Sequence, residues 1–383
     1  MNRLIIIAGF ICILFPEGCR HGTVSRKEGP LPAVPGNNSE AKRFSLQKTD
    51  SCRILKIFDP WQGAEGIMQV YYLVKQDQEL PRSIDSLSVI HVPVRRIICM
   101  STTYLAMMKA LGKEEAIVGV SGANFVYDDN ILKKIGDGTI VDVGYEAGIN
   151  NELIINTAPD LVMAYGVGSE SAGYVSKIKE LGIRVMFNAD YLEENALAKA
   201  EWIKVFGALF CMENLADSIY GSLSRSYYSM KSYISSHIKV KPHVLLGMPF
   251  RDTWFISPGN SFAARFIEDA GGDYLWKDTF SSSSIPLSLE NVYFKAIEAD
   301  YWLNTGALTK KDEIASLDPR LLELKCYQTG NIYNNNKRMS PGGGNDYWES
   351  GTINPHVILK DIASILHPGL FGDYEPVYYR KIK

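Results

Sequence analysis

Glu213–His237, ENLADSIYGSLSRSYYSMKSYISSH, is the stretch on which the fold turns. Leu215, Ile219, Leu223, Met230 and Ile234 recur at spacings of four or close to its multiples, with Tyr227 and Tyr233 beside them. That is the repeat of one apolar face on an α-helix. At 1.5 Å per residue, about 25 residues make a rod of roughly 37 Å. Gly221 lies inside it and costs about 1 kcal/mol against alanine, so packing has to hold the helix together. The segment falls between two halves that read as versions of one unit.

A chain of 383 residues is long enough for two lobes with substantial cores. A net charge of −3 gives no electrostatic reason to expect nucleic acid as a partner. Tyrosine stands out, with 21 residues, several of them in segments that read as loops. Tyr and Trp in such places suit a surface that grips an amphipathic ligand.

The N-terminus is a targeting segment. Arg3 supplies a positive start, and Leu4 to Phe15 is an almost unbroken apolar run, too short for a membrane-spanning helix. It ends at Phe15-Pro16-Glu17-Gly18-Cys19, which resembles a bacterial lipoprotein signal with Cys19 as the lipidated first residue. Pro16 and Glu17 depart from the usual small-residue box, and an unlipidated secretory signal is the competing reading. Residues 20–42 carry Gly, Pro, Ser and Asn with little apolar content and read as a flexible tether. Cys52, Cys99, Cys211 and Cys326 form no C-x-x-C pair and no zinc framework; disulfides and buried thiols both remain open.

Residues 43–93 read as a short β extension, with strands at Arg53–Phe58, Met68–Val74 and Ser88–Pro93. The first two are separated by the turn cluster Asp59-Pro60-Trp61-Gln62-Gly63. From residue 94 strands and helices alternate, the pattern of parallel α/β sheets. The expected division is an N-terminal lobe over 94–212, the linking helix over 213–238 and a C-terminal lobe over 239–383. In the first lobe a strand at Val94–Met100 leads into a helix capped by Ser101-Thr102-Thr103, and Glu194–Phe210 reads as one helix. In the second, Val244–Met248 is a strand and Pro355–Leu366 the last helix.

Two stretches echo each other across the long helix. Asn150-Asn151-Glu152-Leu153-Ile154-Ile155 runs to Ala158-Pro159-Asp160, the strand LVMA and Tyr165-Gly166. Ser288-Leu289-Glu290-Asn291-Val292-Tyr293 runs to Ala299-Asp300, the strand YWLN and Thr305-Gly306. Asn150 and Ser288 are N-cap types, which puts Glu152 and Glu290 in first helical turns. A carboxylate there is favoured by the helix dipole. Stabilising helix starts is the plain reading; a pair of fixed negative marks on one surface is the other.

With these residues in view the chain resembles the class III substrate-binding proteins of ABC importers, the family for siderophore-bound iron, haem and cobalamin. NELIINTAPDLVMAYG fits the family's Glu-x-Ile-x-x-x-x-Pro-Asp-Leu-Val signature, and Leu181–Val185 and Phe266–Gly272 add two further matches. The second Glu segment has two extra residues before Asp300 and lacks the Pro. The resemblance covers about residues 94–367; the β extension resembles one seen in Bacteroidetes-type members. It implies an α/β fold of two Rossmann-like lobes with central parallel sheets joined by a single long α-helix. Ligand would sit in the cleft between the lobes. Glu152 and Glu290 would dock on basic residues of an ABC permease dimer with its ATPase subunits, a use of charge for register and on-rate. It further implies a monomeric periplasmic lipoprotein, anchored in a membrane through Cys19. The protein would have no catalytic residues and no cofactor of its own, its ligand carrying chelated iron or cobalt.

Ligand contacts are expected from loops after strand ends, where open α/β sheets bind ligands. These are Tyr127, Tyr145 and Tyr165 in the first half, and Phe250, Arg251, Trp254, Tyr333 and Arg338 in the second. Aromatic faces would pack on a macrocycle or catechol, with Arg251 or Arg338 on its carboxylates. Ordinary packing is the competing reading for each aromatic, and Lys337-Arg338 reads equally as a solvated pair. Pro341-Gly342-Gly343-Gly344-Asn345 lacks the Lys-Ser/Thr of a phosphate loop and reads as a flexible rim to the cleft. The six His show no helical pair for a metal centre. A direct metal-ion binder and a chelatase-like, tetrapyrrole-processing enzyme are the alternatives; no nucleophile elbow or nucleotide fingerprint favours the latter.

Overall fold

The computed structural model describes residues 39–76, 78, 84–166 and 170–383. The targeting segment with Cys19, and the expected tether up to residue 38, lie outside the described residues. Ser39–Lys42, expected to end the tether, are held down instead. The Glu201 carboxylate accepts hydrogen bonds from the backbone N–H of Glu40 and Ala41 at 2.8 and 2.9 Å. Glu193 accepts from Lys42 and Arg43, both at 3.1 Å. Buried backbone donors need acceptors, and each of these carboxylates serves two.

Among the described residues the extension is a four-stranded sheet in the order β1-β2-β3-β4. Its strands are β1 (Phe44–Lys48), β2 (Arg53–Phe58), β3 (Met68–Lys75) and β4 (Val89–Val92). The first three pair antiparallel, and β4 joins parallel to β3. Phe44 packs edge-on against Trp202 at 4.9 Å, and the Tyr71 hydroxyl donates to the Val185 carbonyl at 3.2 Å.

The first lobe runs β5 (Ile97–Cys99), α1 (Thr102–Ala110), β6 (Ile117–Val120), α2 (Asp129–Gly136), β7 (Val141–Asp142), α3 (Asn151–Asn156), β8 (Leu161–Ala164), α4 (Glu170–Glu180) and β9 (Val185–Phe187). All its strands are parallel, in the order β7-β6-β5-β8-β9. The helix expected over 194–210 is broken at Trp202 into α5 (Ala196–Glu201) and α6 (Ile203–Leu209). The Trp202 indole is buried and donates to Glu193 at 3.0 Å, while its backbone N–H takes the tighter three-residue bond to Lys199.

α7 (Glu213–His237) spans the expected residues, but its buried face is turned from the one drawn through Leu215. Ala216, Tyr220, Leu223, Tyr227 and Ile234 are buried, whereas Leu215 and Tyr233 are exposed. Ala216 and Tyr220 belong to the core of the first lobe, and Leu223, Tyr227 and Ile234 to that of the second. The approach of α6 is close: a Cβ on Gly207 would lie 2.5 Å from that of Ala216. On the other side the Tyr227 hydroxyl donates to Asp269 at 2.8 Å.

The second lobe runs β10 (His243–Leu246), β11 (Pro249–Phe250), β12 (Thr253–Ile256), α8 (Phe262–Asp269), β13 (Asp273–Tyr274), β14 (Ile285–Ser288), α9 (Leu289–Ala296) and β15 (Tyr301–Leu303). It continues through α10 (Asp312–Ala315), α11 (Lys325–Gln328), β16 (Ile332–Asn334), α12 (Pro355–Leu366) and β17 (Arg380–Lys381). Its main sheet has the order β13-β10-β15-β16-β17, parallel except for β17. A small antiparallel sheet β11-β12-β14 stands beside it. The sequence echo is physical. Asp160 accepts from the N–H groups of Arg95 and Arg96 just before β5, at 2.8 and 2.9 Å. Asp300 accepts from His243 at the start of β10, at 2.8 Å.

The lobes also meet away from α7. The loop carrying Pro341–Gly344 is a docked segment and not the expected free rim: the Ser340 hydroxyl donates to the Val126 carbonyl at 2.8 Å. A Cβ on Gly344 would come within 2.2 Å of that same oxygen, so only glycine permits the approach. The Glu349 carboxylate accepts from the N–H groups of Tyr127 and Asp128 at 2.8 and 3.0 Å. Burial raises its pKa to about 7, with the nearby Asp128 and Asp346 carboxylates adding to the shift and the two N–H bonds opposing it.

Two outcomes follow from these contacts. A Cβ on Gly221 would meet only the mobile end of Arg225, at 3.3 Å. Gly221→Ala is therefore expected to stabilise the protein by roughly 0.5–1 kcal/mol in urea denaturation; a loss of stability would show that the helix needs its glycine. The raised Glu349 pKa favours the folded protein fully below the ordinary carboxyl value, and that contribution is lost as pH rises through about 7. Between pH 5 and 8 the Tm of the native protein should fall relative to that of Glu349→Gln, as read by calorimetry. A constant difference would contradict the shift.

Candidate ligand-binding cleft

The loops at the carboxyl ends of the parallel strands carry most of the residues singled out from the sequence. On the first lobe they form a continuous aromatic row. Gly144 follows β7 with φ of 87°, and a Cβ there would lie 2.1 Å from the Gly148 carbonyl oxygen. This turn, open only to glycine, presents Tyr145. The Asp142 carboxylate holds the turn by accepting from the Gly144 N–H at 3.0 Å. It holds the neighbouring loop through Gly122 and Ala123, at 3.0 and 2.9 Å.

Tyr145 is 39% exposed and its ring lies 4.8 Å from that of Phe125, itself exposed. Its pKa is raised by burial first, then by the neighbouring Tyr165 and Glu146. Tyr165 stands directly after β8, edge-on to Tyr191 at 6.2 Å between ring centroids. Phe125, Asp142 and Tyr191 did not emerge from the sequence; only their proximity to strand ends marked them.

On the second lobe the expected loop 250–254 is the β11–β12 hairpin. Phe250 is 65% exposed, and Arg251 sits at the tip with φ of 55°, its guanidinium 5.3 Å from the centre of the Phe250 ring.

Four expected contacts take other roles. Trp254 is fully buried in β12; its indole donates to the Leu246 carbonyl at 3.0 Å and packs 5.6 Å from Trp302. The alternation of the hairpin strand turns it into the core, so it offers no face to a ligand. Tyr333 lies within β16, half-buried beside Tyr301. Arg338 and Tyr127 do come together, but as part of the contact between lobes. The Arg338 guanidinium donates to Asp346 at 2.6 Å and lies 5.3 Å from the Tyr127 ring. Beside them a cavity of about 290 Å³ is lined by Lys109, Tyr127, Asp128, Arg338 and Glu349 among others.

Glu152 and Glu290 are both exposed in first turns, as their caps predict. Asn150 caps α3 through the N–H groups of Glu152 and Leu153 at 3.0 and 3.2 Å, and Ser288 caps α9 through Asn291 at 3.3 Å. An exposed apolar side chain accompanies each carboxylate, Ile155 on α3 and Phe294 on α9. Among the described residues no group of three or more His, Cys, Asp and Glu is placed to hold a metal ion. Cys52, Cys99, Cys211 and Cys326 are free thiols.

A family described as "Periplasmic binding protein" matches residues 97–338. The chain is similar to an uncharacterized lipoprotein of Methanocaldococcus jannaschii, MJ0878, with 25% identity over all of this chain and 97% of the other. It is similar in structure to a periplasmic heme binding protein from Pseudomonas aeruginosa, with a TM-score of 0.57 and 15% identity over 76% of this chain and 98% of that one. A second likeness is to an ABC-type Fe3+-hydroxamate transport system from Saccharomonospora viridis, with a TM-score of 0.54 and 20% identity over 72% of this chain and 94% of that one. The resemblance carried by the Glu152–Gly166 stretch is thus borne out, as is the two-lobed α/β fold around one long helix. The chain belongs to the periplasmic binding protein family.

Proposed function

We propose that this protein is an extracytoplasmic, lipid-anchored carrier that captures a haem, cobalamin or ferric-siderophore ligand between its lobes and delivers it to an ABC permease dimer. The observation that carries this reading is the Phe125–Tyr145–Tyr165 row at the carboxyl ends of one sheet, together with the exposed Phe250–Arg251 pair on the other lobe. Flat aromatic faces suit a conjugated macrocycle or catechol, and a guanidinium suits its peripheral carboxylates. The names of the structural neighbours, one for heme and one for Fe3+-hydroxamate, support the same class of ligand. The lipoprotein name of the archaeal relative supports an anchor, for which Cys19 is the residue.

Glu152 and Glu290 are the proposed docking marks, one on each lobe, each seated beside an exposed apolar side chain.

Titration with haem, cobalamin and a ferric siderophore, read by Tyr and Trp fluorescence, tests the capture step. Tight binding of one of them is expected, and Tyr145→Ala should weaken it about tenfold. Binding of none, or an unchanged affinity in that variant, would overturn the cleft reading. Glu152→Lys should leave ligand affinity intact and impair transport in reconstituted vesicles. An equal fall in affinity and uptake would refute the docking role.

A further inference from the structure

The β extension does more than cover the first lobe. Its strands already reach the lobe's edge, through the Tyr71 hydroxyl on Val185 and through the Arg184 side chain, which donates to the Val89 carbonyl at 2.6 Å. The turn between β2 and β3 continues past that edge to the carboxyl ends of β8 and β9. There the backbone N–H of Gln62 donates to the Gly166 carbonyl and to the Tyr191 hydroxyl, both at 3.1 Å. Trp61 packs on Phe187, the last residue of β9, with ring centroids 5.2 Å apart and planes inclined by 49°. It joins the apolar cluster that includes Tyr165 and Ile149, and it remains partly exposed.

The turn is built to hold its shape. Asp59 takes φ of 44°, a left-handed conformation that asparagine and aspartate tolerate better than other side chains. Its N–H donates to the Ile67 carbonyl at 2.8 Å, and its carboxylate accepts from the Ile67 N–H at 3.2 Å. The Arg43 guanidinium donates to the Asp59 carbonyl at 3.1 Å, and the Ala64 N–H to the Trp61 carbonyl at 3.0 Å. A turn tied at both ends and bonded to the segment after β8 has a fixed position beside Tyr165.

We propose that this turn is a third wall of the ligand site, and that Trp61 contacts the ligand's edge and sets which ring systems fit. The proposal rests on the cleft reading above. In it, specificity comes partly from outside the two lobes: Tyr145 and Tyr165 hold the ligand's face, while Trp61 bounds it beside β9. The occupant is a conjugated or corrin-type macrocycle, because its apolar rim gains from contact with an indole, which offers little to a small hydrated chelate.

The test uses the folded protein with hemin, cyanocobalamin and ferrichrome as probes, in the native form and in Trp61→Ala, Trp61→Phe and Tyr145→Ala. Trp61→Ala should weaken hemin or cyanocobalamin by about five- to tenfold and change the ratio of their affinities to that of ferrichrome; Trp61→Phe should recover most of the loss. Should Trp61→Ala fail to fold, protection of Trp61 from oxidation by N-bromosuccinimide, read by mass spectrometry on the native protein, replaces it. A bound macrocycle should protect the indole. Native affinity in Trp61→Ala alongside a loss in Tyr145→Ala, or an unprotected indole in the complex, would reduce the turn to a structural cover while leaving the cleft in place. Unchanged binding in both variants would overturn the cleft and the wall together.

Discussion

One helix shared by two cores is the constraint on which the rest of this structure depends. The start of α7 is buried in the first lobe by Ala216 and Tyr220, and its remainder in the second by Leu223, Tyr227 and Ile234. Neither lobe can complete its apolar core without its part of the rod, and the rod has too little intrinsic helix strength to stand alone. The separation of the lobes is therefore set by covalent helical geometry. A single continuous connection of this kind bends less readily than flexible crossovers, which favours small changes in the space between the lobes.

The second tie between lobes has a different character. Ser340, Glu349 and the Gly-rich segment meet residues 124–128 through hydrogen bonds and a backbone approach that side chains would block. Polar contacts of this kind add modest net stability, because water satisfies the same groups when they part. An apolar rod that stays and a polar clasp that can exchange with water form a suitable pair for a protein that must admit and release a ligand.

Buried carboxylates recur as staples for irregular backbone. Glu193 and Glu201 hold residues 40–43 and Glu349 joins the lobes, while the half-buried Asp142 joins two loops at the carboxyl ends of the first sheet. Asp361 accepts from the N–H groups of Val377 and Tyr378 at 2.9 and 2.7 Å and so fixes the C-terminal segment. Loops have no ladder partners for their N–H groups, and a carboxylate accepts several bonds at once. The cost appears in the pKa values of Glu193, Glu349 and Asp361, all raised by burial.

The sequence by itself determined the extent of α7, the alternation of strands and helices on either side, the paired Glu and Asp marks and the caps beneath them. These depend on periodicity and on residues close in the chain, such as Asn150 with the N–H groups of Glu152 and Leu153. Tertiary structure alone decided which face of α7 is buried, because Leu215 and Ala216 are both apolar and only the close approach of Gly207 selects the smaller. It turned Trp254 into the core and spent Arg338 on Asp346, since strand alternation and an acidic partner eight residues away outweigh position near a strand end. It also brought Trp61 beside Phe187 and Gln62 beside Tyr191, residues more than a hundred positions apart that no local pattern connects.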